Sequence, residues 1–343
     1  MMNVWMDFKH DFEWSKIMML ILLGSLLGCV TTMVDRFTMD RVVGFGQTLD
    51  DTQKPCALGE SLSHVLLATK GKNKNPELAL LIANGTSAIC AQQEAFEEHL
   101  REQRYKYHDS IPFTYSVPEA KDAQYAAQRW DVLAAKRFLL AFEHSEAFFG
   151  PIGGDCPFIE ERNQSAYLIG LISGTFAVLH DKASGGQVGV PMDILPKVAR
   201  ASNCLKNDQW WGVPHALQFG IWATVPGAGL DDVDAWASLK KAADDGSQKG
   251  VRVAYAVASL LANNNGEDAF LVEMLRSHGE SLDNVPQNPN WAFFDQYATE
   301  IALYQSDLLW TKKKGYRTPK LGMIPPNEEI ENTQSNPEID PFD

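Results

Sequence analysis

The chain has 343 residues, 45% hydrophobic and 22% charged, with a formal net charge of −14. That length holds one large domain or two small ones, at ~100–200 residues each, and the apolar share is enough for a packed core. No broad basic field is present, so the composition excludes the electrostatic footprint of a nucleic-acid binder.

The first feature along the chain is an apolar run, Ile17–Leu27, with Lys16 directly before it. Its eleven residues suit the core of a signal peptide and fall short of the ~20 needed to span a bilayer. The run ends in Leu26-Leu27-Gly28-Cys29, which reads as a lipobox. The expectation is a lipoprotein-type signal peptide over 1–28 and an acylated Cys29. Val30 rather than Asp after the cysteine points to the periplasmic side of the outer membrane. Asp7, Asp11 and Glu13 in the leader, and apolar residues continuing to Val34, keep an uncleaved N-terminal membrane anchor as the alternative.

Apolar residues then recur at helical spacing almost throughout. The spacing predicts helices over Met33–Leu49, Leu58–Leu67, Glu77–Tyr105, Glu119–Phe149 and Glu160–Leu179. Further helices are expected over Asp193–Leu205, Asp208–Thr224, Asp232–Ala243, Val251–Ala262, Glu267–His278 and Trp291–Lys313. Breaks fall at Lys70–Pro76, His108–Pro118, Gly150–Pro157, Ser184–Val190, Val225–Gly229 and Asn263–Gly266, where Gly, Pro and Asn cluster. Gly170 and Gly174 share a face that lets another helix approach closely. No alternating strand pattern appears. The fold class is therefore all-α, a helical-hairpin array or bundle. Small residues spaced along Ala235–Ala242 suit degenerate tetratricopeptide-like repeats, although no strict period is visible. A single domain is expected over 29–317. Lys312, Lys313 and Lys314 read as a helix end complementing its dipole. The segment 318–343, Pro-containing and carrying six acids in its last 16 residues, reads as a disordered tail.

Four cysteines remain after Cys29: Cys56, Cys90, Cys156 and Cys204. An oxidising compartment permits two disulfides among them in three pairings. Local pairing, Cys56–Cys90 and Cys156–Cys204, closes the shortest loops. The alternative is that Cys90 is a small buried hydrophobe.

No catalytic or cofactor motif emerges: there is no HExxH, Walker loop, GxGxxG or GxSxG. No histidine pair has metal-ligand spacing. Glu143-His144-Ser145-Glu146 reads as a solvated helix end. The chain is thus expected to be no enzyme, with no cofactor and no metal. The most informative stretch is Asp208–Pro226. At helical spacing Trp211, His215, Gln218 and Trp222 fall on one face, apolar area broken by two hydrogen-bonding groups, which suits a cavity wall. A start at Pro214 instead would change the phase of Trp210 and Trp211. A helix buried on both sides is the competing reading.

The order of elements from Ala166–Gly174 through Leu195–Leu205 to His215–Gly227, then Asp234–Ala243, Arg252–Ser277 and Trp291–Arg317, resembles the T components associated with TRAP transporters, which are periplasmic lipoproteins (TatT-like). The resemblance covers roughly 120–317 and includes the lipobox. It implies a helical cavity for a hydrophobic small molecule and association with a periplasmic substrate-binding protein. Asp231-Asp232-Val233-Asp234 departs from the glycine-rich stretch of the family. The function expected is a lipid-anchored accessory or binding protein of a solute-uptake system. The alternative is a tetratricopeptide-like envelope scaffold that grips peptides or assembly partners, without a small-molecule ligand. A homo-oligomer is left open, and nucleic acid is no expected partner.

Overall fold

A computed structural model describes residues 31–69, 76–107 and 112–326. The leader, Cys29, most of the break at Lys70–Pro76, and residues 327–343 lie outside the described residues. Eleven helices and no strand occur among the described residues, so the fold is an all-α array. They are α1 (31–46), α2 (Gln53–Ala68), α3 (Glu77–Tyr107), α4 (Phe113–Phe149), α5 (Gln164–Ala183), α6 (Ile194–Ala201), α7 (Val213–Thr224), α8 (Ala235–Ser247), α9 (Val253–Asn265), α10 (Asp268–Asn284) and α11 (Ala292–Lys314).

The long hairpin of α3 and α4 is the backbone of the array. Its inner face is built from alanines, with Ala88, Ala91, Ala123, Ala127, Ala134 and Ala141 fully buried, so the two helices close on each other without bulky spacers. Helix α5 lies against α4. Here the glycine pair acts as its spacing predicts: a Cβ on Gly170 would sit 2.2 Å from Ser145 Oγ, and one on Gly174 2.6 Å from the Phe142 ring. Helices α7 to α10 fold as successive neighbours, and α11 crosses back to contact both α9 and α3, joining the last helix to the first long hairpin. One large core runs through the centre, from Phe138 and Phe176 to Leu217, Val257 and Phe294.

Several boundaries differ from the periodicity. Helix α4 begins at Phe113 rather than after Pro118, with Pro118 inside it. As the sixth residue of the helix, this proline leaves the Thr114 carbonyl without its usual i+4 donor, the local cost of a proline past the first turn. Helix α7 starts at Val213 with Pro214 in its first turn, so the later of the two starts is the true one. The segment 318–326 is docked, correcting the expected start of the tail. Leu321 is buried, Trp310 Nε1 donates to the Met323 carbonyl at 2.9 Å, and the Thr318 N–H donates to Asp307 at 2.9 Å. Nothing in the packing of α8 confirms tetratricopeptide-like repeats, and beyond Ala235–Ala242 the helix makes a close approach of its own. A Cβ on Gly246 would lie 1.9 Å from the Trp211 carbonyl oxygen, so this helix admits a loop backbone. Both local disulfides form, Cys56–Cys90 and Cys156–Cys204, with Cα–Cα distances of 5.5 and 5.3 Å.

Candidate functional site

The four side chains placed on one face by helical spacing are divided by the structure. Trp211 lies ahead of α7 in a left-handed conformation, φ 50°, followed by Gly212 at φ 78°. That kink turns its ring into the core, 3% exposed, against Trp210, Trp291 and Phe294. His215 stays on α7 and leans on Phe219; burial pushes its imidazole below the usual histidine range. Only Gln218 and Trp222 come together, in a shallow hollow of about 350 Å³ beside Arg200 and Asn203. The four therefore do not line a common cavity. Within residues 143–146, near the end of α4, Glu143 is exposed as expected of a solvated helix end, whereas His144 Nδ1 lies 2.6 Å from Glu77 Oε2 and Ser145 is fully buried.

The main concavity lies elsewhere, beneath α1 and α2. It is an open groove of about 600 Å³ with an almost wholly apolar lining. Helix α1 supplies Phe37 and Phe45, α2 supplies Leu58 and Leu62, and the floor is Ile82 and Ala83 of α3. Three local features shape it. Thr38–Val43 of α1 is a π stretch, whose i→i+5 bonding brings residues four and five apart onto one face, so Phe37, Arg41, Val42 and Phe45 all reach the groove. Helix α2 crosses α3 at Gly59, where a Cβ would sit 2.3 Å from Thr86 Oγ1 and 2.6 Å from the Ala83 carbonyl. The Cys56–Cys90 disulfide pins that crossing one turn away. On the other side Asp35 Oδ1 accepts the Ala79 N–H at 2.9 Å, satisfying an open donor of the first turn of α3. Burial raises this carboxyl to about 6. The Phe293 N–H donates to the Gln47 carbonyl at 3.1 Å and closes the far end against α11.

Ile82, Thr86, Ile169, Phe293 and Phe294 line both the groove and a narrow apolar cavity of about 60 Å³ between α3, α5, α9 and α11. The Thr86 hydroxyl is turned back on its own helix, where it donates to the carbonyls of Ile82 and Ala83. The chemistry available is burial of apolar surface, worth ~25 cal/mol per Å² removed from water.

A second concavity of about 510 Å³ is polar. Its acids are largely engaged: Glu300 accepts from Thr52 and Gln93, and Glu97 pairs with Arg317. Behind it lies the constellation that comes nearest to acid–base machinery. Asp131 bridges two imidazoles, with its oxygens 2.8 Å from His99 Nε2 and 2.8 Å from His180 Nδ1. His180 Nε2 continues to Gln92 at 2.9 Å, and the Tyr297 hydroxyl donates to Gln92. A triad needs a nucleophile against the imidazole. Phe138 stacks on His180 instead, and no hydroxyl or thiol is bonded to either ring among the described residues. Its separations of 32 and 49 residues left no sequence signal.

This network predicts a pH dependence. Burial opposes charge on His99, but its bonds to Asp131 and Glu102 outweigh that and push it up to about 9. A histidine whose folded pKa exceeds its unfolded value stabilises fully below ~6.5, and that contribution is lost as pH rises through the folded value. Melting temperature is expected to fall between these limits, by up to ~1.4 kcal/mol of stability per pH unit. His99→Gln should flatten the profile in differential scanning calorimetry; an unchanged slope in the variant would assign it to another group.

No family model matches the chain, and neither a curated protein nor a solved structure matches it. Among the described residues no group of His, Cys, Asp and Glu is placed to hold a metal ion, and no helix is long and apolar enough to cross a membrane.

Proposed function

We propose that this chain is a lipid-anchored binding protein that holds an apolar molecule in the groove beneath α1 and α2. The observation that carries the reading is the groove itself. At about 600 Å³ it lies within the ~300–1,000 Å³ of ligand pockets, and its lining offers almost nothing but hydrocarbon and aromatic surface. Its rim is apolar too, with Phe37 60% and Phe45 67% exposed, the type of patch that marks a binding surface. The lipobox cysteine stands two positions before Thr31, the first described residue of α1. Anchor and groove thus belong to one continuous segment, which supports capture or release of the ligand at a membrane surface.

Ile169→Trp tests the groove, because this half-buried residue lines both the groove and the inner cavity. Binding of an apolar fluorophore such as aminoanthracene to the full chain is expected to weaken ~10-fold, equivalent to ~1.4 kcal/mol, with the circular dichroism spectrum unchanged. Equal binding by the variant would remove the groove from consideration. Cys29→Ser is expected to abolish metabolic labelling by palmitate, and retained labelling would overturn the anchor. The narrower reading, an accessory of a TRAP-type uptake system, rests on the lipobox and the order of helices. It predicts co-purification with a periplasmic substrate-binding subunit.

A further inference from the structure

We propose that the ligand is a single-chain amphiphile with an anionic head, its tail directed into the bundle and its head held by Arg41 at the groove mouth. This rests on the groove reading above and adds the chemistry of the ligand and its direction.

The direction follows from the shape of the space. The groove between α1 and α2 shares Ile169 and the Phe293–Phe294 pair with the much smaller cavity of about 60 Å³, so these side chains form the boundary that a tail would part to reach it. Gly85 forms part of that inner wall, where an added Cβ would rest in ordinary contact with Ile169 at 3.4 Å and Ser173 at 3.6 Å. So small an end admits the end of an alkyl chain and excludes a ring system. Of the three hydroxyls that line it, Thr86 is bonded within α3 and Tyr297 donates to Gln92, which leaves only the single neutral hydroxyl of Ser173 and no cation to meet an anionic head. A charged group placed there would lose its hydration without compensation.

The opposite end is different. Arg41 and Lys54 are the two cations of the lining. Nearby acids are already engaged, Asp40 with Arg36 at 3.4 Å and Asp51 with Lys54 at 3.2 Å. Arg41 has no acidic partner among the described residues. It projects from the π stretch of α1 onto the same face as Phe37 and Phe45. A guanidinium presents donors in a fork that matches a carboxylate, and its alkyl stem lies along apolar surface while its head meets water. An unpaired fork at the wet end of a dry groove is complementary to a fatty-acid-like molecule.

The test is displacement of aminoanthracene from the full chain by decanoate and by decanol, above neutral pH where the acid is ionised. Decanoate is expected to displace the probe at ~5-fold lower concentration, the scale of one partly exposed charge-assisted pair. Arg41→Gln should bring the two ligands level, Arg41→Glu should leave decanoate weaker than decanol, and Ile169→Trp should weaken both alike. Arg41 is exposed, so these head variants are expected to keep the wild-type circular dichroism and melting temperature. Equal displacement by acid and alcohol in the wild type, or a preference that survives both Arg41 variants, overturns the anionic head and leaves the apolar groove standing. Failure of the probe and of both ligands to bind, or binding untouched by Ile169→Trp, overturns the groove and this inference with it.

Discussion

Asp295→Ala is expected to cost ~3–5 kcal/mol of stability, the loss seen when one partner of a buried ion pair is removed. Arg252 and Asp295 are each 1% exposed, and every nitrogen of the guanidinium and both carboxylate oxygens are hydrogen-bonded. Asp295 Oδ2 accepts from Arg252 Nη1 at 2.6 Å and from Gln287 at 3.2 Å, while Oδ1 accepts the Arg252 N–H at 2.8 Å. The rest of the guanidinium donates to Ser281 Oγ at 3.0 Å and to the carbonyls of Ser281 and Val285. These bonds join the start of α9, the end of α10 and the start of α11. Burial raises the Asp295 carboxyl despite the pull of Arg252, so desolvation offsets much of the attraction. The double variant Arg252→Met, Asp295→Leu is therefore expected to recover most of what the single change loses. Urea unfolding of the three proteins measures this. A loss below ~1 kcal/mol for Asp295→Ala, the ordinary scale of point substitutions, would refute the pair as the tie between these helices.

Removing the Cys56–Cys90 disulfide is the second large effect, and it touches function. The two residues are 34 apart in sequence, and closing a loop of that length constrains the unfolded chain by ~3–4 kcal/mol in the chain-entropy account. The bond also holds α2 at its Gly59 crossing over α3, and with it the groove wall formed by Leu58 and Leu62. Cys56→Ala with Cys90→Ala should lower the unfolding free energy by that amount and weaken aminoanthracene binding in the fraction that remains folded. The equivalent change at Cys156 and Cys204 should lower stability without affecting the probe, because that bridge lies away from the groove residues. Unaltered probe affinity in the first double variant would show that the wall stands without the bond.

The two bridges were legible as local pairings because loop closure favours near neighbours in sequence. The helices were legible because each must bury an apolar stripe, and burial leaves its period in the residues. The same logic failed at Trp211. Its apolar character and spacing suit the face of α7, but Pro214 sets the helix start at Val213 and Gly212 takes a left-handed turn, so the indole faces the core. Position 318 onward reads as tail by composition, yet Leu321 and the Met323 carbonyl find partners on α10 and α11 that composition does not announce.

What the sequence indicated by itself was therefore local: helix content, the close approach at Gly170 and Gly174, and a preference for local cysteine pairs. Each depends on neighbours within one or two turns or on the length of a loop. The groove was decided only by tertiary structure. Phe37, Leu58, Ile82, Ile169 and Phe293 come from five separate helices, and their convergence depends on a π stretch, a glycine crossing and a backbone bond from Phe293 to Gln47. The His99–Asp131–His180 bridge is of the same kind. Where apolar residues cover more of a helix than one core face can bury, as in α1, periodicity records the excess but not the surface that meets it. That surface is set by the packing of distant helices.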